Sequence, residues 1–237
     1  MRRALHLIVF GVAAALPSTA LASSIELRAG VLFPNTGKAT PSDCQTGCNL
    51  FADLNELFGA SKGAWAGATG GVEFSQRLAP GIELGVHMDG YSRRRHTHYV
   101  SSAAPGDLRQ TLELSYVPIG VSLRIMPPGP RMAIKPYLAA GPDLVLWEYK
   151  EHGGYFDFDN QESFDARYRA SGATWGLHAA AGVRVPISYD FSLTGEVRYL
   201  WAGKVHMGGD FVNNQGQSVY DIQPGGLSAT LGLRMRF

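Results

Sequence analysis

The chain has 237 residues, of which 45% are hydrophobic and 17% charged, and its formal net charge is +1. That balance excludes nucleic acid as a partner held by bulk charge. Beyond the N-terminus no apolar run approaches the ~20 residues of a membrane-spanning helix, so any crossing of a bilayer must use strands.

Met1-Arg2-Arg3, the apolar run Leu5 to Leu16 and Ala20-Leu21-Ala22 have the form of a secretory signal peptide cut after Ala22. Residues 1–22 are read as the export signal and 23–237 as one mature domain. Losing Arg2 and Arg3 moves the net charge from +1 to −1.

Eight segments then alternate with the period of a strand: Ser24 to Phe33, Gly63 to Leu78, Gly81 to His98, Gln110 to Met126, Ile134 to Lys150, Ala166 to Ser188, Phe191 to His206 and Gly226 to Phe237. In the third, Ile82, Leu84, Val86 and Met88 oppose Glu83, Gly85, His87, Asp89 and Tyr91. In the sixth, Trp175, Leu177, Val183 and Val185 oppose Thr174, His178 and Arg184. In the seventh, Phe191, Leu193, Val197, Tyr199, Trp201 and Val205 oppose Ser192, Thr194, Glu196, Arg198 and Lys204. The last sets Leu227, Ala229, Leu231, Leu233, Met235 and Phe237 against Ser228, Thr230, Gly232, Arg234 and Arg236. The fourth breaks phase, since Leu112, Leu114 and Tyr116 fall opposite Val117, Ile119, Val121, Leu123 and Ile125; a bulge near Tyr116 to Pro118 would restore it.

Connections alternate in length. Ala79-Pro80, Pro127 to Ala133 and Tyr189-Asp190 are short, whereas Pro34 to Lys62, Tyr99 to Arg109, Glu151 to Asp165 and Met207 to Gly225 are long. An even number of half-apolar strands with turns sorted in this way predicts an all-β fold: an eight-stranded antiparallel up-and-down transmembrane β-barrel, with short periplasmic turns and long extracellular loops. Aromatic residues fall where its two interface girdles would lie, with Phe74, Phe191 and Phe237 low and Phe33, Trp175, Tyr199 and Trp201 high.

The opening Ile25-Glu-Leu-Arg-Ala-Gly, the middle Lys135-Pro-Tyr-Leu-Ala-Ala-Gly-Pro, Gly195-Glu-Val-Arg-Tyr and the closing Gly225-Gly-Leu-Ser-Ala-Thr-Leu-Gly-Leu-Arg-Met-Arg-Phe resemble the small outer-membrane barrels of the OmpA/OmpX-like superfamily. The resemblance covers the mature chain and implies the outer membrane of a Gram-negative-type bacterium, with its lipid and lipopolysaccharide as neighbours. It also implies that Phe237, with Met235 and Leu233, is the signal read by the barrel-assembly machinery.

The inward faces collect charge. Glu26, Arg28, Glu73, Glu83, Arg124, Arg184, Glu196, Arg198, Arg234 and Arg236 fall in the periplasmic half, and so narrow a lumen predicts that they pair into a plug. His87, Asp89, Asp143 and His178 form a second, higher group, read as satisfied interior residues rather than as a catalytic or metal centre. Arg93, Arg94 and Arg95 lie at the extracellular end of the third strand, where guanidinium groups suit lipopolysaccharide phosphates.

In the first long loop, residues 34–62, Cys44 and Cys48 suggest a disulfide in an exported chain. Zinc would need two further ligands, of which Asp43 is the one obvious choice. Leu50, Phe51, Leu54, Leu57 and Phe58 recur at helical spacing before Gly59, which predicts a short amphipathic helix.

The functional expectation is a non-enzymatic barrel with a structural, envelope or surface-interaction role, no cofactor, and an extracellular partner that the sequence does not name. The alternative is an OmpW-like transporter of small hydrophobic compounds or a narrow porin, whose mark would be an apolar funnel beneath the first loop. A lipid A-modifying enzyme is a third reading, for which no His-x-Ser pair stands at a strand end.

Overall fold

A computed structural model describes residues 23–35, 48–49, 65–100, 107–127, 133–157, 160, 162–208, 210–211 and 220–237. The export signal at 1–22, Cys44 and the helix expected over 49–58, apart from Asn49, lie outside the described residues.

The fold is all-β. Its strands are β1 (Ser23–Pro34), β2 (Cys48–Asn49), β3 (Gly67–Ala79), β4 (Ile82–Val100), β5 (Asp107–Ile125), β6 (Lys135–Asp157), β7 (Glu162–Pro186), β8 (Phe191–Ala202), β9 (Val205–His206), β10 (Tyr220–Ile222) and β11 (Gly226–Arg236). Eight of them close an antiparallel barrel in the order β1-β11-β8-β7-β6-β5-β4-β3, and β2, β10 and β9 form a small separate sheet. Closure joins the first and last barrel strands: β1 pairs with β11 from Ser24 opposite Arg236 to Pro34 opposite Gly226. The Phe237 amide donates to the Ser23 carbonyl at 3.0 Å. At the Pro80-Gly81 turn, Gly81 has φ 81°. Proline followed by a residue of positive φ is what a tight type II reversal requires.

Alternation maps onto the two sides of the wall. Leu177, Leu193, Val197, Leu231 and Leu233 stand exposed on the outside, while Glu83, Arg184, Glu196, Arg198 and Arg234 are buried inside. The girdle residues also point outward, Trp175 at 72% exposure, and the Tyr199 and Trp201 rings meet edge to face at 4.4 Å. Among the described residues no helix is long and apolar enough to cross a membrane, which says nothing of strands.

Two expectations about the strands are corrected. The register between β5 and its neighbours runs unchanged past Tyr116 to Pro118, from Ile82 opposite Ile125 to Arg95 opposite Leu112 on one side and from Gln110 opposite Gly153 to Ile125 opposite Leu138 on the other. No bulge is present there. Leu112, Leu114 and Tyr116 point inward on the same face as Ser122 and Arg124; the phase changes because the interior itself turns apolar toward the extracellular end. The connection read as a long loop after the fifth segment is mostly strand, and the ends of the one after the third segment are strand as well. β4 and β5 reach Val100 and Asp107, and β6 and β7 pair as far as Asp157 opposite Glu162.

A membrane-crossing strand needs about 9–11 residues. β1, β8 and β11 have 12, 12 and 11, whereas β6 and β7 have 23 and 25. The β4–β7 side therefore rises well clear of the bilayer and the opposite side does not. Labelling of whole cells tests this topology. A cysteine at Asn160 in a background lacking Cys44 and Cys48 should react with an impermeant maleimide, and one at Asp190 should not; the reverse pattern would invert the barrel.

Candidate functional site: the layered barrel interior

From the periplasmic end upward the interior is layered: all eight barrel strands line the lowest layer, while β4 to β7 supply the wall residues of the two layers above it. The lowest is charged. The Glu83 carboxylate takes both terminal nitrogens of Arg184 at 3.0 Å each and Arg234 Nη1 at 2.8 Å. Glu73 receives Arg124 at 2.9 Å and Arg28 at 3.1 Å. Asp89 holds Arg28 through Nε at 2.6 Å and Nη2 at 2.7 Å, and Arg198 Nη1 at 3.1 Å. Arg198 also reaches Glu196 at 2.8 Å, whose other oxygen accepts the Tyr137 hydroxyl at 3.0 Å. Tyr137 in turn lies under the Arg124 guanidinium, 4.5 Å from its ring centre. Thr194 donates to Glu26 at 2.8 Å.

Among the described residues the layer holds Glu26, Glu73, Glu83, Asp89 and Glu196 against Arg28, Arg124, Arg184, Arg198 and Arg234. Acid and base are equal in number, which is what burial of so many charges requires.

The membership differs from the sequence reading at two points. Asp89 belongs to this layer rather than to the histidine group. Arg236 does not belong: it is exposed at the periplasmic rim, where Nη2 donates to the Tyr189 carbonyl at 3.1 Å and the guanidinium lies 4.6 Å from the Tyr189 ring centre. Lys204, placed inward by alternation, is exposed beyond the end of β8. Space for the large charged groups comes from glycines on neighbouring strands. A Cβ on Gly71 would lie 2.2 Å from Asp89 Oδ1, and one on Gly182 would lie 2.4 Å from Tyr137 Cζ.

Above the charges sits a ring of four side chains. Asp143 on β6 accepts from His87 Nε2 at 2.9 Å and from His178 Nδ1 at 2.6 Å. Ser122 Oγ lies 2.8 Å from His178 Nε2 and 3.4 Å from His87 Nδ1. All four residues are 1–2% exposed. Ser122 escaped the sequence reading, although its place two residues before the inward Arg124 was the available signal.

The top layer is apolar. Tyr91, Leu112, Leu114, Tyr116, Trp147, Tyr149 and Ala170 of the wall enclose Trp65, Met207, Phe211 and Ile222, which come from the connections around β2, β9 and β10. Tyr91 and Tyr116 stack with ring centres 5.4 Å apart, and the Tyr91 hydroxyl donates to the Trp65 carbonyl. The small sheet ties two loops together over this layer: Tyr220 pairs with Cys48, and Asp221 pairs with His206, whose Nδ1 lies 2.6 Å from the Asp221 carboxylate. Above the histidine ring the interior is thus hydrophobic, an apolar stretch that the sequence reading did not anticipate. A cavity of about 40 Å³ remains between the layers, bordered by Arg28, Asp89, Tyr91, Tyr116, Asp143 and Arg198. That is room for one or a few water molecules.

On the outer surface Arg94, Glu113, Lys150 and Arg169 stand in one row across β4 to β7. Arg94 Nη2 is 3.5 Å from Glu113, and Lys150 and Arg169 both contact Glu148. Of the three consecutive arginines, Arg94 alone faces outward with this row. Arg93 and Arg95 alternate to the mouth, where Arg95 lies over the Trp65 ring at 5.9 Å from its centre.

The sequence profile of the "Outer membrane protein beta-barrel domain" family matches residues 8–234. The chain belongs to this family of outer-membrane β-barrels. No curated protein matches it. Solved structures similar to the chain include Ail of Yersinia pestis in complex with the heparin analogue sucrose octasulfate (10% identity, covering 92% of this chain and 100% of that one, TM-score 0.45). Others are Neisserial surface protein A (13%, 92% and 96%, 0.44) and a major outer membrane protein of Thermus thermophilus (15%, 92% and 100%, 0.48). The membership agrees with the barrel expected from alternation and places the chain in the outer membrane.

Proposed function

We propose that the protein is a closed, non-enzymatic outer-membrane barrel that serves as a rigid mount for a surface-exposed β-wall, acting in envelope structure or in contact with the surroundings of the cell. The observation that carries this reading is the filled interior. Five acids and five arginines occupy the lower half, an apolar cluster occupies the upper half, and the cavity of about 40 Å³ between them has room for only a few waters.

On this reading residues 1–22 direct export, and Phe237, Met235 and Leu233 present the chain to the barrel-assembly machinery. Arg94, with Lys150 and Arg169 in its row, meets lipopolysaccharide phosphates where the wall leaves the bilayer. Arg93 and Arg95 serve the mouth instead.

The test is to shorten the β6–β7 hairpin by replacing residues 153–166 with a two-residue turn. The barrel should still assemble, because the ion-paired layer is untouched, while attachment of cells to surfaces or partner cells falls. Unchanged attachment together with altered uptake of a solute would favour transport.

A small-molecule transporter is the second reading, favoured by the apolar top layer. Within it the Tyr116 hydroxyl and the Trp147 indole nitrogen are buried without a hydrogen-bond partner among the described residues, as expected of a chamber that opens to admit a ligand or water. The charged layer beneath it stands against passage straight through.

A further inference from the structure

The four-membered ring of Asp143, His87, Ser122 and His178 has four polar contacts and, with the carboxylate ionised and both imidazoles neutral, three hydrogens to fill them. An ionised carboxylate can only accept. His87 must therefore donate from Nε2 and His178 from Nδ1, at 2.9 and 2.6 Å. That leaves His87 Nδ1 and His178 Nε2 as bare lone pairs, and both converge on Ser122 Oγ, which has one hydrogen. The hydroxyl gives it to His178 at 2.8 Å, and the contact to His87 is the long one at 3.4 Å. A buried acceptor is left facing an oxygen lone pair, an unfavourable arrangement at zero exposure of the imidazole.

The same arrangement is the one found around metal-ligating histidines. Each imidazole donates its outer N–H to a carboxylate, which fixes the tautomer and ring direction, and turns its other nitrogen toward the ion. Here a single carboxylate orients two imidazoles at once, with ring centres 5.0 Å apart and planes at 86°. Space for the group is built in, since a Cβ on Gly120 would lie 2.2 Å from Asp143 Oδ1 and 2.7 Å from His87 Cε1. The nearby Arg28 and Arg198 are held by three carboxylates, those of Asp89, Glu73 and Glu196.

We propose that this ring is a transition-metal site, with His87 Nδ1, His178 Nε2 and Ser122 Oγ as the donors and Asp143 as the orienting carboxylate. Two imidazole nitrogens and a hydroxyl select a borderline first-row ion such as Zn²⁺ over Mg²⁺ or Ca²⁺, which take oxygen sets. With the ion bound, the Ser122 hydroxyl keeps its proton but gives up its hydrogen bond to His178, and both imidazole lone pairs and Ser122 Oγ turn toward one centre, locking β4, β5, β6 and β7 together at mid-height.

The full mature chain, unfolded in urea with chelator and refolded into detergent micelles with Zn²⁺, is desalted and its metal measured by mass spectrometry. Folded wild type should retain about one zinc per chain, the stoichiometry of a single site. His87→Gln and His178→Gln should each lower retention by about tenfold or more, while His206→Gln, on the small outer sheet, should leave it unchanged. Refolding with Co²⁺ gives a second readout that needs no variant, since nitrogen ligation at low coordination number produces visible absorption. Folded wild type that retains no zinc and shows no such absorption would overturn the site and leave the ring a hydrogen-bonded structural element. Zinc retained by the folded His87→Gln/His178→Gln double variant would also overturn it, by locating the metal at surface histidines.

Discussion

Glu83→Ala is expected to destabilise the folded barrel by about 3 to 5 kcal/mol, the usual cost of removing one partner from a buried ion pair. Glu83 is the acid that holds Arg184 and Arg234 together, at 3.0 and 2.8 Å, with Arg124 at 3.6 Å. Without it, guanidinium groups face one another beside the cavity at the periplasmic mouth that Glu83, Arg184 and Arg234 border. Urea titration of the folded barrel in micelles measures the loss. Arg236→Ala is the control: that side chain is exposed at the rim, and its removal should change stability by no more than about 0.5 kcal/mol. Equal effects at the two positions would mean that the charged layer does not bear on stability.

Leu231→Arg should cost about 2 to 4 kcal/mol when the barrel is folded into a bilayer, the penalty for arginine on a lipid-facing strand near mid-membrane. Leu231 sits at the centre of β11, between Ala29 of β1 and Gly195 of β8, with 75% of its surface exposed. On a water-facing strand the same change would be nearly neutral, within about 0.5 kcal/mol. The substitution therefore separates a lipid-facing surface from a solvated one at a single residue. A neutral result in bilayers of normal thickness would contradict the membrane reading of the whole outer face.

How much of this was legible in the sequence depended on whether a feature is local. Period-two alternation fixed the strands and the inward positions of Glu83, Arg184, Glu196 and Arg198, because neighbouring side chains on a strand must point to opposite sides. It could not say what an apolar face meets. Leu112, Leu114 and Tyr116 look like a lipid-facing set by pattern, yet they line the upper interior, and the expected bulge answers a break in phase that does not exist.

Membership in the charged layer was a matter of register between strands. Asp89 joins it through Arg28, 61 residues away, and Ser122 meets His178 at a separation of 56. Glu151 to Asp157, with the pair Gly153-Gly154, lacks a strand pattern, so the tall hairpin arises from pairing with β7 rather than from local preference. Met207, Phe211 and Ile222 lay in a stretch read as a loop and Trp65 in one read as strand, and nothing local marks any of them as a cap.

The claim on which the account rests is that the lumen is closed, and steady-state conductance in planar bilayers tests it directly. Wild-type protein inserted in one orientation should show no sustained channel at moderate voltage, whereas Glu83→Ala or Glu196→Ala should add leak events as the charged layer loosens. A large, long-lived conductance from the wild type would contradict the closed barrel and put the transport reading in its place.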